Sequence, residues 1–160
     1  MENTEEIQKT LKNEEKTGTI LLVEDNPGDA LLAMEALKDS KHHNELIWVR
    51  DGMEAMDYLH KVGKYKNADY PDIILLDLNL PSKDGKEVLR EIKSNNDLKQ
   101  IPVIILTISS SEDDIIKSYN LQANSYITKP IDLEEFINVI KSIEYYWFSI
   151  VKLPKNKSNI

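Results

Sequence analysis

The sequence contains no cysteine, so disulfides and thiolate metal ligands are excluded. It has no apolar run near the roughly 18 residues needed to cross a bilayer. Its first 18 residues, MENTEEIQKTLKNEEKTG, lack the apolar stretch of a secretory signal. Together these point to a cytoplasmic protein with no membrane contact. It also lacks a basic excess: Asp and Glu outnumber Lys and Arg 28 to 20, for a net charge of -8. That argues against nucleic acid as a partner, although a local patch matters more than a total. No glycine-rich nucleotide-phosphate loop is present. What the chain does have is a globular share of apolar residues, 41% over 160 positions, enough for one compact domain and its tails.

Polarity divides the chain into a polar arm over 1–18, expected to lack fixed structure, a domain over 19–151, and a tail over 152–160. Within the domain a short apolar run alternates with a helical pattern five times. The runs are 19–23, 46–49, 72–77, 102–107 and 125–129. Continuous runs of this kind read as strands buried on both faces of a parallel sheet. The helices are expected at 27–40, started by Pro27, at 52–62 with Ala55, Met56 and Leu59 inward, and at 85–94 with Val88, Leu89 and Ile92 inward. Two more follow Ser111 and Asp132 as N-caps, the last reaching about Ile150. In the first helix, Leu31, Leu32, Met34, Ala36 and Leu37 carry the periodicity. Gly63 suits a C-cap for the second. Five strands alternating with five helices predict an α/β fold, a doubly wound parallel sheet with helices on both faces.

In such sheets ligands bind beyond the carboxyl ends of the strands. Those ends carry Glu24 and Asp25, then Asp77, then Thr107, then Lys129. Three converging carboxylates repel one another and call for a cation, and magnesium favours oxygen ligands. A lysine and a threonine hydroxyl beside them suit the oxygens of a phosphoryl group. Asp77 ends the most apolar strand and is the best nucleophile, since carboxylates form acyl phosphates. Glu24 or Asp25 taken alone reads better as a helix cap or a solvated charge. The joint pattern at four strand ends is what the bland reading fails to predict.

Leu22-Val23-Glu24-Asp25-Asn26, Asp72 through Asp77, Leu80-Pro81 with Asp84-Gly85, Thr107, and Lys129-Pro130 resemble the receiver domains of two-component response regulators. The spacings agree: 30 residues from Asp77 to Thr107 and 22 from Thr107 to Lys129. A finer likeness, in Asp25-Asn26-Pro27-Gly28-Asp29-Ala30, Tyr126 through Pro130 and Trp147-Phe148, is to the small single-domain regulators of phytochrome-type and related histidine kinases. The resemblance implies a flavodoxin-like fold, with Asp77 as phosphoacceptor. Glu24, Asp25, Asp77 and the backbone carbonyl of Asn79 would hold Mg2+, Asp25 more directly than Glu24. Lys129 would pair with phosphoryl oxygens, and Thr107 and Tyr126 would act as the switch. For Tyr126 the sequence alone favours an ordinary half-buried strand aromatic, so its switch role rests on the resemblance. The protein's partners would be a sensor histidine kinase and a downstream phosphotransfer protein. Ile108 departs from the small residue usual after the threonine, which puts the rate of resetting in doubt.

The 31 residues after Lys129 suffice for one helix and a tail, so output is expected through protein contact or phosphorelay. The chief rival is a phosphatase using an aspartyl-phosphate intermediate. Such enzymes place a second acid two residues after the nucleophile, and here Asn79 stands there, so the only chemistry expected is self-phosphorylation and self-dephosphorylation. A receiver that needs no phosphorylation is a third reading, against which the complete acidic set speaks. His42, His43 and His60 read as solvated. The last helix carries a core stripe, Leu133, Phe136, Ile137, Ile140, Ile143 and Trp147, and a second apolar set, Val139, Tyr145, Tyr146, Phe148, Ile150 and Val151. Apolar surface on more than one side predicts a homodimer through this helix.

Overall fold

A computed structural model describes residues 18–40 and 42–154 of the protein. Five parallel strands, β1 (Gly18–Val23), β2 (Asn44–Val49), β3 (Ile73–Leu76), β4 (Val103–Thr107) and β5 (Ser125–Thr128), form one sheet in the order 2-1-3-4-5. Between and after them run α1 (Pro27–Lys38), α2 (Gly52–Leu59), α3 (Gly85–Ser94), α4 (Glu112–Asn120) and α5 (Leu133–Tyr145). The expected doubly wound, flavodoxin-like architecture is therefore present. The expected N-terminal arm lies outside the described residues apart from Gly18, which opens β1. Of the expected tail, Leu153 packs against the core, and 155–160 lie outside the described residues.

The inner strands β1, β3 and β4 read as nearly unbroken apolar runs because both faces are covered. Ile20, Leu22, Ile73, Leu75, Ile104 and Leu106 pack with Ala30, Ala33, Ala36 and Leu37 of α1 and with Phe136, Ile140 and Ile143 of α5. The alternate residues, including Leu21, Val23, Ile74, Leu76, Val103 and Ile105, pack with Ala55, Met56 and Leu59 of α2 and Val88, Leu89 and Ile92 of α3. Burying one such Leu or Ile side chain fully contributes about 1.5–3 kcal/mol relative to leaving it in water. Leu31 and Leu133, expected inward, are instead 59% and 63% exposed. In α1 small alanines face the sheet, which brings the helix close and leaves Leu31 on the outer side.

Every helix starts on a side-chain cap that satisfies free backbone N–H groups. Asn26, Asp51, Asp84, Ser111 and Asp132 accept from the N–H groups of Gly28, Glu54, Lys86, Asp114 and Glu134, respectively. The helix ends depart more from expectation. α2 stops at Leu59 rather than Val62. Lys61 takes the left-handed conformation (φ 57°), and the N–H groups of Lys61 and Val62 return to the carbonyls of Tyr58 and Asp57. That is a Schellman closure with lysine in the position expected for Gly63. Gly63 is also left-handed (φ 60°) but opens the following 3-10 turn, Gly63–Tyr65. α5 gives way at Tyr146 to a π-helical turn, Tyr146–Ile150.

At the opposite end of the sheet from the carboxylates, Lys93 fastens the α3–β4 connection. Its ammonium donates to the carbonyls of Lys99 (3.0 Å) and Ile101 (2.9 Å) and to Asn124 Oδ1 (3.1 Å). Burial pushes this ammonium down to about 8 from 10.5. Between those values the unfolded chain binds more protons than the folded one, so the group adds stability as pH rises through the window. Denaturant unfolding of the protein and of Lys93→Met at about pH 7.5 and about pH 9.5 checks this. The parent should gain stability relative to the variant at the higher pH.

Candidate functional site

The strand order reverses between β1 and β3, and the crevice lies at their carboxyl ends. Backbone hydrogen bonds continue one residue beyond β1, β3 and β5 and hold that next residue in place. The N–H of Glu24 donates to the Val49 carbonyl (3.0 Å), that of Asp77 to Val23 (3.1 Å), and that of Lys129 to Thr107 (2.7 Å). Trp48 Nε1 donates to the Glu24 carbonyl (2.7 Å), locking that residue from the β2 side. Behind Asp77, Gly85 lets the start of α3 approach the chain. A Cβ there would lie 2.4 Å from the Asp77 carbonyl oxygen and 2.6 Å from Leu78 Cα.

Glu24, Asp25, Asp77, Thr107 and Lys129, all expected at the site, are brought together. Carboxylate oxygens of Glu24, Asp25 and Asp77 lie within 4.8 Å of one another. Glu24 and Asp77 are buried and Asp25 is exposed. Lys129 Nζ donates to Glu24 Oε1 (2.7 Å), Asp77 Oδ2 (3.0 Å) and Asp29 Oδ2 (3.0 Å), and its side chain is 7% exposed. Asp77 Oδ1 accepts from the backbone N–H of Asn79 (3.0 Å), and Asn79 Nδ2 reaches Thr107 Oγ1 (3.4 Å). Thr107 is fully buried. Tyr126 is half-buried against the α2/α3 core, with its hydroxyl donating to the Ser109 carbonyl (2.8 Å). Ile108 projects into solvent at 72% exposure. The sequence reading missed Asp29, which sits in the first turn of α1, where an acid is commonplace on helix-dipole grounds alone.

The electrostatics are those of an acidic site short of positive charge. Burial, and next the adjoining Asp77 carboxylate, push Glu24 up to about 8. Burial acts upward on Asp77 too, but Glu24, the Asn79 N–H and the Lys129 ammonium outweigh it and hold Asp77 below the usual carboxylate range. Burial opposes the charge on Lys129, and the surrounding carboxylates overcome it and raise its pKa. Between these two carboxylates the negative charge is favoured on Asp77 and disfavoured on Glu24. Four carboxylates against one ammonium, all with oxygen donors, fit a hard divalent cation.

The family described as response regulator receiver domain matches residues 20–141. The chain is 52% identical over 135 residues to the response regulator Rcp1 of Synechocystis sp., covering 84% of this chain and 92% of that protein. It is 41% identical over 137 residues to the probable methanogenesis regulatory protein FilR2 of Methanothrix harundinacea, covering 84% and 86%. Among solved structures it is similar to the phosphorylated cyanobacterial phytochrome response regulator RcpA, with a TM-score of 0.84, 54% identity and coverage of 86% and 99%. It is also similar to the Mn(2+)-bound form of Rcp1, with a TM-score of 0.83, 51% identity and the same coverage. Fold, strand-end residues and relatives agree, and the chain belongs to the response-regulator receiver family.

Proposed function

We propose that Asp77 accepts a phosphoryl group from the phosphohistidine of a sensor histidine kinase and that the protein signals by the resulting change of surface. The observation that carries this is the buried Asp77 carboxylate held between the Lys129 ammonium and the Asn79 N–H. A carboxylate oxygen of Asp77 forms the new P–O bond while the P–N bond of the donor breaks, and the departing imidazole nitrogen keeps the electron pair and takes up a proton. Asp77 is already ionised, so no base is required. Glu24, Asp25, Asp77 and the Asn79 carbonyl would hold magnesium, which would supply positive charge for the phosphoryl oxygens. Lys129 offers its N–H groups to the same oxygens. Thr107 leaves Asn79 for the phosphoryl group, and Tyr126 leaves the Ser109 carbonyl and turns inward. Asn79 is an amide that donates rather than a second acid, which speaks against a phosphatase acting on external esters.

Similarity to a cyanobacterial phytochrome response regulator supports a phytochrome-type or related kinase as partner. We further propose a phosphotransfer protein as downstream recipient and the cytoplasm as the location. No helix among the described residues is long and apolar enough to cross a membrane. Incubation with magnesium and a small phosphodonor tests the chemistry. The protein should gain the mass of one phosphoryl group, and the gain should be lost when magnesium is chelated.

A homodimer through α5 is favoured by an open groove of about 700 Å3 between edge strand β5 and α5. Ile127, Val139, Tyr146 and Trp147 line it, and Tyr145 stands exposed nearby. Phe148, counted with the surface aromatics in the sequence, packs instead against the α1/α5 core. Tyr145→Ala combined with Tyr146→Ala should therefore shift sedimentation toward monomer. A parent that is already monomeric at high concentration, phosphorylated or not, would count against the dimer.

A further inference from the structure

An ammonium has three N–H donors, and in this protein all three of Lys129 are committed. One goes to Glu24, one to Asp77 and one to Asp29. Phosphorylation of Asp77 requires at least one of them to turn to a phosphoryl oxygen. Asp77 carries the incoming group, and Glu24 belongs to the carboxylate trio suited to a cation. Asp29 alone has neither task. Its carboxylate sits on α1, outside that trio, and is 28% exposed where the side chains of Glu24, Asp77 and Lys129 are almost wholly buried. It is placed firmly, since the Asn26 side chain accepts from its backbone N–H (3.2 Å).

We propose that Asp29 is a positioning residue that restrains Lys129 in the resting state and thereby slows phosphorylation of Asp77. The restraint has two parts. Asp29 competes directly with the phosphoryl oxygens for a lysine N–H. It also adds a negative charge near the place where phosphorylation turns the single charge of the Asp77 carboxylate into the roughly two charges of an acyl phosphate. Both disfavour phosphorylation, and both are absent from the ordinary view of Asp29 as a first-turn acid serving the helix dipole. In that ordinary view a substitution alters stability and leaves the phosphorylation rate alone.

The inference rests on Asp77 as phosphoacceptor, and the experiment separates the two. Initial rates of magnesium-dependent phosphorylation by phosphoramidate are measured for the parent, Asp29→Asn, Asp29→Ala and Asp29→Glu, with thermal unfolding of each. The Asn variant keeps shape and loses charge, and it should react about three- to tenfold faster, the range expected for weakening one charge-assisted competitor. The Ala variant should change in the same direction. Glu restores the charge and should return the rate to within about twofold of the parent. Half-saturating magnesium should stay within about twofold throughout, because Asp29 is not among the proposed ligands. A labelled parent with Asn and Ala variants at or below its rate overturns the restraint alone, as does a rate gain that merely tracks tighter magnesium binding. A parent that takes no label overturns the phosphoacceptor reading and the restraint with it.

Discussion

Lys129→Ala should lower the stability of the metal-free protein by about 3–5 kcal/mol, the cost of leaving buried charge without its partner. It should also reduce phosphorylation by about 100-fold, the size of effect typical of removing one donor to developing charge. The side chain is 7% exposed and is the shared partner of Glu24, Asp77 and Asp29. Its removal leaves three carboxylates facing one another. The loss should shrink when magnesium is added, because the cation replaces the missing positive charge. It should shrink as pH falls as well. Asp77 has a depressed pKa in the folded state, so its ionised form contributes stability at neutral pH and loses that contribution as pH falls through the folded value. Once the carboxylates are protonated, Lys129 has less to compensate. Denaturant unfolding with and without magnesium, alongside labelling rates, measures each part. Equal stability of parent and variant at neutral pH without metal would mean that the carboxylates simply take up protons instead.

Gly85→Ala should damage the site from behind. The added Cβ would fall 2.4 Å from the Asp77 carbonyl oxygen and 2.6 Å from Leu78 Cα, and both are backbone atoms with no rotamer to yield. The α3 start or the segment after β3 must move, at a cost of about 1–3 kcal/mol for overpacking a filled interior. Asp77 lies on that segment, and misplacing a reacting group by about 1 Å costs on the order of 100-fold in rate. Stability and labelling should therefore fall together. Gly63→Ala serves as the control. It meets no atom within 4 Å and is strained only through its left-handed backbone, so it should destabilise mildly and leave labelling unchanged. Parental labelling in Gly85→Ala would show that α3 can shift without carrying Asp77 along.

The sheet and most of the site were legible because their signals are local and redundant. A strand covered on both faces has few polar residues to confuse it, and 73–76 contains none. A polar residue at the carboxyl end of three such strands, and of edge strand β5 beside them, is carried to the same end of the sheet. Helix interiors were less legible. Leu31 and Leu133 have suitable spacing, yet alanines in α1 and Phe136, Ile140 and Ile143 in α5 are what fill the interface. Lys61 closes α2 in a left-handed conformation that sequence would reserve for Gly63. Lys93 finds its acceptors 6, 8 and 31 residues away, and Asp29 meets Lys129 across 100 residues. Such pairings arise from the packed fold and leave no periodic trace in the chain.

That Asp77 is the residue which carries the phosphoryl group is tested most directly by locating the label. The protein is phosphorylated with magnesium and a small phosphodonor, the acyl phosphate is trapped by borohydride reduction, and the digested peptides are sequenced by mass spectrometry. The expected result is one modified position, residue 77, in the parent and none in Asp77→Asn, which keeps the shape of the side chain but lacks the nucleophilic carboxylate. Label at any other residue of the parent, or an equal mass gain in Asp77→Asn, would contradict it.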